Sequence, residues 1–329
     1  MDKALFNKYY DTYNKYWYQV WRFRQKNFLY YNLFSLPGQW KRNSALKKAI
    51  ALVEKETDFP DIRVMGDQDM IVSLTSFPAR IGNLHMVIKS VLLQDYLPGK
   101  ICLWLTDDEF PQGRESLPEE LLALTKYGLE IEFVPGNIRS HNKYYHAFER
   151  YPDKTVVTVD DDCIYPLDLI SRLVALRGRY PGAVCANDGK DILWDEDGLF
   201  PYSKGGLFFT SSFESMTLIA LGYGGVLYPP GSRGDAVLDR EALWRLAPTA
   251  DDLWLKAAQI ASGAKVAISG ELFIHPMMLP GSQKVRLANQ NIGGGRNDEQ
   301  WKKLDEHFGL YDVLRKEYGP VYRGQSSAQ

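Results

Sequence analysis

Thr155-Val156-Val157-Thr158-Val159-Asp160-Asp161-Asp162-Cys163-Ile164-Tyr165-Pro166 is the stretch around which the chain is organised. It begins as a β-branched run with the composition of a buried strand. It stops at three successive carboxylates followed by Tyr-Pro, which cannot continue a central strand. Adjacent acids repel one another and serve no structural purpose at the end of an apolar strand. A hard divalent cation removes that repulsion, because carboxylate oxygens suit Mg²⁺ or Mn²⁺. The same ion can neutralise the phosphates of a nucleotide. The bland alternative is a solvated acidic turn. The alternation of strands and helices around the triplet favours a metal–diphosphate site, since ligands of open α/β sheets gather at the carboxyl ends of strands.

The 329 residues suffice for one large domain with appendages or for two modest ones. With 39 Lys and Arg against 41 Asp and Glu, the net charge of −2 implies no general attraction to nucleic acid. Cys102, Cys163 and Cys185 lack metal-type spacing, and an odd count with two in predicted strands points to buried thiols in a reducing compartment. No apolar run is long enough to cross a bilayer, and the N-terminus has no signal-type apolar stretch. A cytoplasmic protein is expected. Internal repeats and low-complexity tracts are absent from the sequence.

Residues 1–58 differ in character from the rest of the chain. Tyr9, Tyr10, Tyr13, Tyr16, Trp17, Tyr18, Trp21, Phe23, Phe28, Tyr30, Tyr31 and Phe34 alternate with Lys3, Lys8, Lys15, Arg22, Arg24 and Lys26. Few breakers precede Pro37, so helix is expected. Such a helix suits a membrane interface or packing on the main domain. Packing is favoured, because the aromatics as a set are not confined to one face. A second helix, Asn43 to Lys55, leads to a boundary at Phe59-Pro60. Beyond it, strands are expected at Met70 to Thr75, Ile101 to Leu105, Leu129 to Val134 and Thr155 to Val159. Ser76 to Arg80 reads as a loop, and helices fall at Asn83 to Gln94, Pro118 to Tyr127 and His141 to Glu149. This succession predicts a mainly parallel sheet with helices on both faces, its polar strand ends meeting along one edge. Later come a helix at Leu167 to Tyr180, a strand at Ala183 to Ala186 and a loop-rich stretch from Trp194 to Phe213. Gly222 to Gly231 reads as glycines allowing close backbone approach, either flooring a sugar pocket or making a plain turn. A helix from Asp251 to Ala261 is capped by Thr249 or Asp251. Val266 to Ile268 is a strand, Asn289 to Arg296 a glycine-rich loop, and Asn297 opens a terminal helix.

In this order the motifs resemble the GT-A glycosyltransferases, particularly bacterial sugar transferases related to the large inverting family two. The matching elements are Val72 to Arg80, Ser90 to Gln94, Leu105 to Asp108, the Asp160-Asp161-Asp162 triplet, Gly222 to Gly225 and Asp251-Asp252. The resemblance covers about residues 68–275. It implies a GT-A, Rossmann-like α/β fold with a mainly parallel sheet, and leaves the N-terminal helices unexplained. The expected division is an aromatic-rich helical extension at 1–58, a transferase domain at 59–288, and a C-terminal loop and helix with a disordered tail at 289–329. The resemblance further implies that Thr75, Ser76, Arg80 and Asp107 or Asp108 hold base and ribose. Asp160 then lies near ribose or metal, Asp161 takes the variable middle position, and Asp162 is a direct ligand of Mn²⁺ or Mg²⁺. The first loop of that family more often reads Pro-Thr-Tyr-Asn than the Thr-Ser-Phe-Pro seen here. Inverting transfer needs a carboxylate to take a proton from the acceptor hydroxyl. The resemblance assigns this to Asp252, with Asp251 beside it; the alternative is a pair of acids favoured by the helix dipole.

Lys143, after His141 and Asn142, is a candidate for the diphosphate or donor sugar. His275 is a candidate further metal ligand. Asn297, Asp298 and Trp301 read as anchors of the terminal helix, and Lys284, Arg286 and Arg296 as residues that close over the diphosphate or decorate a loop. The expectation is a metal-dependent hexosyltransferase moving sugar from a nucleotide-sugar, by family habit a UDP-sugar, to a glycan or lipid-linked acceptor. Its setting would be bacterial surface polysaccharide synthesis (O-antigen or capsule), with peripheral association at the cytoplasmic face of the inner membrane. The rivals are a sugar-phosphate nucleotidyltransferase, which would usually carry a glycine-rich basic loop after strand one, and a non-catalytic carbohydrate-binding protein.

Overall fold

The computed structural model describes residues 1–26, 35–206, 211–270, 274–282 and 295–324. Phe28, Tyr30, Tyr31, Phe34, Lys284, Arg286, the loop from 289 to 294 and the tail from 325 lie outside the described residues.

In chain order, two long helices, α1 (Lys3–Lys26) and α2 (Leu36–Lys55), precede the short α3 (Ile62–Met65). Then come β1 (Asp67–Thr75), α4 (Pro78–Ile81), α5 (Leu84–Leu92), β2 (Pro98–Thr106), α6 (Glu119–Leu122) and β3 (Leu129–Val134). They are succeeded by α7 (Asn142–Arg150), β4 (Thr155–Thr158), β5 (Cys163–Ile164), α8 (Leu169–Arg179) and β6 (Val184–Ala186). After these, β7 (Gly189–Asp191), β8 (Trp194–Asp195), β9 (Gly198–Leu199), β10 (Phe213–Ser215), β11 (Leu218–Ala220) and β12 (Val226–Tyr228) are short. The chain continues through α9 (Arg240–Leu246), α10 (Asp251–Ala261), β13 (Val266–Ile268), β14 (Met277–Met278), α11 (Arg296–Phe308) and α12 (Leu310–Tyr318).

Eight strands form the central sheet in the order β10-β13-β6-β12-β4-β1-β2-β3. β4, β1, β2 and β3 run parallel, joined by helical crossovers. In β4, β1 and β2 continuous apolar runs accord with cover on both sheet faces: Met70 to Leu74 and Ile101 to Leu105 are buried without alternation, while edge strand β3 alternates with Glu130 and Glu132. β12 enters antiparallel between β4 and β6. The expected α/β fold with a mainly parallel sheet is therefore present. The stretch from Gly222 to Gly231 differs from expectation, because three of its residues form this inner strand rather than a turn alone.

Phe6, Tyr10, Tyr13 and Val20 of α1 are buried, and the half-buried Trp17 completes a stripe with the spacing of one helical face. Only the aromatics outside that stripe spread round the helix. Phe6, Tyr10 and Tyr13 join Ala45, Ala49 and Val53 of α2 in the same core as β1, β2 and β4. The Tyr10 hydroxyl donates to Ile164 O at 2.9 Å and accepts from the Met277 N–H at 3.1 Å. It thereby ties α1 to the β5–β14 ribbon behind the acidic triplet. All three cysteines are free and buried. Among the described residues, no helix is long and apolar enough to cross a membrane.

Candidate active site

The carboxyl ends of β1 and β4 meet the start of α10 at one edge of the sheet. Ser73, fully buried in β1, accepts from Trp104 Nε1 at 2.8 Å and donates to the Lys143 carbonyl at 2.5 Å. These bonds fix the start of α7 against the sheet. From there the Lys143 ammonium reaches Asp160 Oδ1 at 2.9 Å and Asp251 Oδ2 at 2.7 Å. One buried cation thus joins the triplet to the acidic pair, although the two motifs are far apart in sequence. Burial alone would lower the Lys143 pKa; Asp160 and Asp251, with Asp252 beyond them, outweigh it and hold the group well above its ordinary range.

The Asp160 N–H donates to the hydroxyl of the buried Tyr165 at 2.8 Å, which sets the direction of the triplet. Asp161 accepts from Ser76 Oγ at 2.7 Å and from Arg80 Nη1 at 2.5 Å. Arg80 also meets Asp162 Oδ2 at 3.2 Å and donates to Ser282 O at 3.3 Å. The segment expected as a loop is partly helical at α4, because Pro78 presets the first turn. That turn aims Arg80 at the acids. Burial, then the neighbouring Asp160, pushes Asp162 up to about 6. Among the described residues, five carboxylates (Asp160, Asp161, Asp162, Asp251 and Asp252) thus face the two cations Arg80 and Lys143, a formal excess of negative charge. That excess, with hard oxygen donors at Asp160 and Asp162, fits a divalent cation. Among the described residues, no three His, Cys, Asp or Glu side chains assemble into a metal-holding group.

Helix α10 begins after Ala250, which provides no side-chain cap. Of the residues expected to cap it, Thr249 pairs with Gln300 of α11 and Asp251 turns to Lys143. The Asp252 carboxylate accepts from the Gly222 N–H at 3.2 and 3.3 Å. A Cβ at Gly222 would stand 2.9 Å from both Asp252 Oδ1 and Lys143 Nζ, so the backbone approaches this closely only as glycine. The two acids have opposite characters. Burial raises Asp251, but Lys143 overrides it and the pKa ends below the usual carboxylate range. Burial and then the Asp251 charge push Asp252 up to about 7, where a carboxylate can exchange protons near neutral pH.

The remaining predicted residues are distributed differently. Thr75 Oγ1 donates to Trp104 O at 2.8 Å within the sheet. Asp107 and Asp108 are exposed in the turn after β2. The β5–β14 ribbon joins the segment after His275 to the triplet: Met278 pairs with Cys163, and Leu279 donates to Asp162 O at 2.8 Å. His275 lies before that pairing, where Asn14 bonds both its N–H and its carbonyl and Trp17 stacks on its ring at 4.1 Å. Of the terminal-helix candidates, Asp298 accepts from Ser203 N–H and Oγ at 2.8 and 2.9 Å, and Trp301 is buried.

Asp188, just past β6, was not singled out in the sequence. Burial pushes its pKa up to about 6, and it accepts a short hydrogen bond from the Tyr223 hydroxyl. Tyr223 lies next to Gly222, with its ring 5.4 Å from that of His275. The available signal was the one that identified the triplet, an acid directly after a short apolar strand.

No protein-family model matches the sequence, and no curated protein matches it. Among solved structures, the chain is similar to a mannosyltransferase, PcManGT from Pyrobaculum calidifontis, in complex with GDP-Man and Mn2+. The identity is 12% and the TM-score 0.38, over 69% of this chain and 65% of that protein.

Proposed function

We propose that the chain is a metal-dependent glycosyltransferase that moves a sugar from a nucleotide-sugar, in our reading a UDP-sugar, to a glycan or lipid-linked acceptor with inversion. The observation that carries this is the Lys143 bridge, which sets a metal-type carboxylate triplet beside a carboxyl held near neutrality. A sugar-binding protein has no need of either arrangement, and still less of both at one strand edge.

Asp160 and Asp162 would hold the divalent cation, whose chemistry is to neutralise the departing nucleoside diphosphate. Lys143 is close enough to Asp160 to add a second positive charge on that side. Asp252, ionised above about pH 7, takes the proton of the acceptor hydroxyl as that oxygen attacks the anomeric carbon. Asp251 keeps Lys143 in place and, by its charge, keeps Asp252 basic. Ser76 and Arg80 fix Asp161, which leaves the flanking acids to act. The setting we propose, from the sequence resemblance alone, is bacterial surface polysaccharide synthesis.

The test is release of nucleoside diphosphate from a panel of UDP- and GDP-sugars in Mn²⁺ or Mg²⁺, with and without EDTA. Release that needs the metal is expected. Release unaffected by EDTA would remove the metal role, and no release from any donor would remove the transferase.

A further inference from the structure

The turn after β3 and helix α9 line an open cavity of about 450 Å³ formed by Asn137, Ile138, Arg240, Glu241 and Trp244. Its size falls in the range of small-ligand sites. Trp244 is 45% exposed, an indole left partly in water on the rim of a concavity. Arg139 adopts φ 59°, a conformation uncommon for a residue with a Cβ, and its N–H is held by Asn137 Oδ1 at 2.6 Å. The turn places the Arg139 guanidinium 5.4 Å from the Trp244 ring centroid. Arg240 is set as well: its guanidinium lies so close to Gly136 that a Cβ there would meet it at 2.4 Å.

Both walls lead to the catalytic edge. The turn runs on through His141, whose Nε2 bonds Ala247 O at 2.8 Å, to Lys143. Helix α9 ends at Leu246, and the short link Ala247 to Ala250 leads from it to Asp251 at the start of α10. Six residues separate Trp244 from Asp251, so the two Cα atoms are at most about 25 Å apart, within reach of a short oligosaccharide. We propose that this cavity is a subsite for a saccharide unit of the acceptor, remote from the unit that receives the sugar; this rests on the transferase function proposed above. The indole offers an apolar face to the C–H side of a sugar ring. Arg139, Arg240, Glu241 and Asn137 supply donors and acceptors of both kinds for its hydroxyls. Glu241 on the same wall supplies a charged acceptor for hydroxyls and would repel a phosphate.

The test uses the full chain on an array of bacterial-type oligosaccharides, followed by calorimetric titration with a glycan that binds. Chitopentaose, maltopentaose and mannopentaose serve as soluble probes. Trp244→Ala should weaken binding at least tenfold and Trp244→Phe less, with unchanged circular dichroism. Arg139→Ala should weaken it in the same direction. Equal affinity in the Trp244 variants, no glycan bound by the wild type, or displacement of the glycan by UDP or GDP would each overturn the subsite. If the wild type released no nucleoside diphosphate while Trp244-dependent glycan binding persisted, the transferase proposal would fail and the saccharide site would stand.

Discussion

Replacing Asp252 by Asn separates catalysis from stability. In the folded protein burial and Asp251 raise this carboxyl from 3.8 to about 7. An acid with a raised pKa must take up a proton on folding, or stay charged at a cost, wherever the unfolded chain has already ionised it. The penalty is therefore absent below about pH 4, grows as pH rises, and is complete above about pH 7. At roughly 1.4 kcal/mol per unit, its ceiling is about 4 kcal/mol, reduced in practice by coupling to Asp251 and Lys143. Asn keeps an acceptor for the Gly222 N–H and abolishes the charge. Asp252→Asn should thus melt several degrees higher than wild type at pH 8 and show little gain at pH 4.5. Its kcat should fall about a hundred- to ten-thousand-fold, as for loss of a positioned base, with the donor Kd nearly unchanged. In the wild type, kcat/KM should rise with pH through about 7 as one proton leaves. Calorimetric melting at the two pH values and steady-state rates measure these effects. A variant that is active, or one that melts lower at pH 8, would refute the reasoning and return Asp252 to the helix-start acids.

The same geometry has other consequences. Gly222→Ala should lower kcat while the fold persists by circular dichroism, because its Cβ would crowd Asp252 and Lys143; wild-type turnover would show that the close approach is idle. Asp162→Asn should abolish metal-stimulated release of nucleoside diphosphate, and Mn²⁺ titration with the variant should show weakened binding. Tyr10→Phe removes the buried hydroxyl that bonds both Ile164 O and Met277 N, which should cost about 1 kcal/mol and lower Tm measurably. Deleting residues 1–58 exposes the core face on which Phe6, Tyr10 and Tyr13 pack, so insoluble protein is expected; a soluble, fully active truncation would contradict that packing.

How legible the fold was depended on locality. β3 is legible at both ends, since Gly128 and Pro135 bracket a run in which Glu130 and Glu132 alternate with apolar residues. The parallel core was legible for the same reason, as continuous β-branched runs separated by helical periodicity. β12 was not recognised, because three residues among glycines and prolines become a strand only through partners at Val156 to Thr158 and Cys185 to Ala186. α12 was not separated from α11, since the break depends on Gly309 adopting φ 63°. At the site, the acids were visible in sequence while their wiring was not. Nothing local to Arg80 says that it faces Asp161, and nothing local to Lys143 says that it bridges Asp160 and Asp251. Those contacts come from the sheet order, and nothing local to His275 says that Trp17 stacks on its ring.

The central claim is that the triplet and the acidic pair act together on one sugar-nucleotide. It is tested most directly by measuring nucleoside diphosphate release from the same donor panel in Mn²⁺ for wild type, Asp162→Asn and Asp252→Asn side by side, with an acceptor glycan present. Metal-dependent release by the wild type is predicted, with a loss of at least about a hundredfold in each variant. Equal release by all three proteins would contradict the claim.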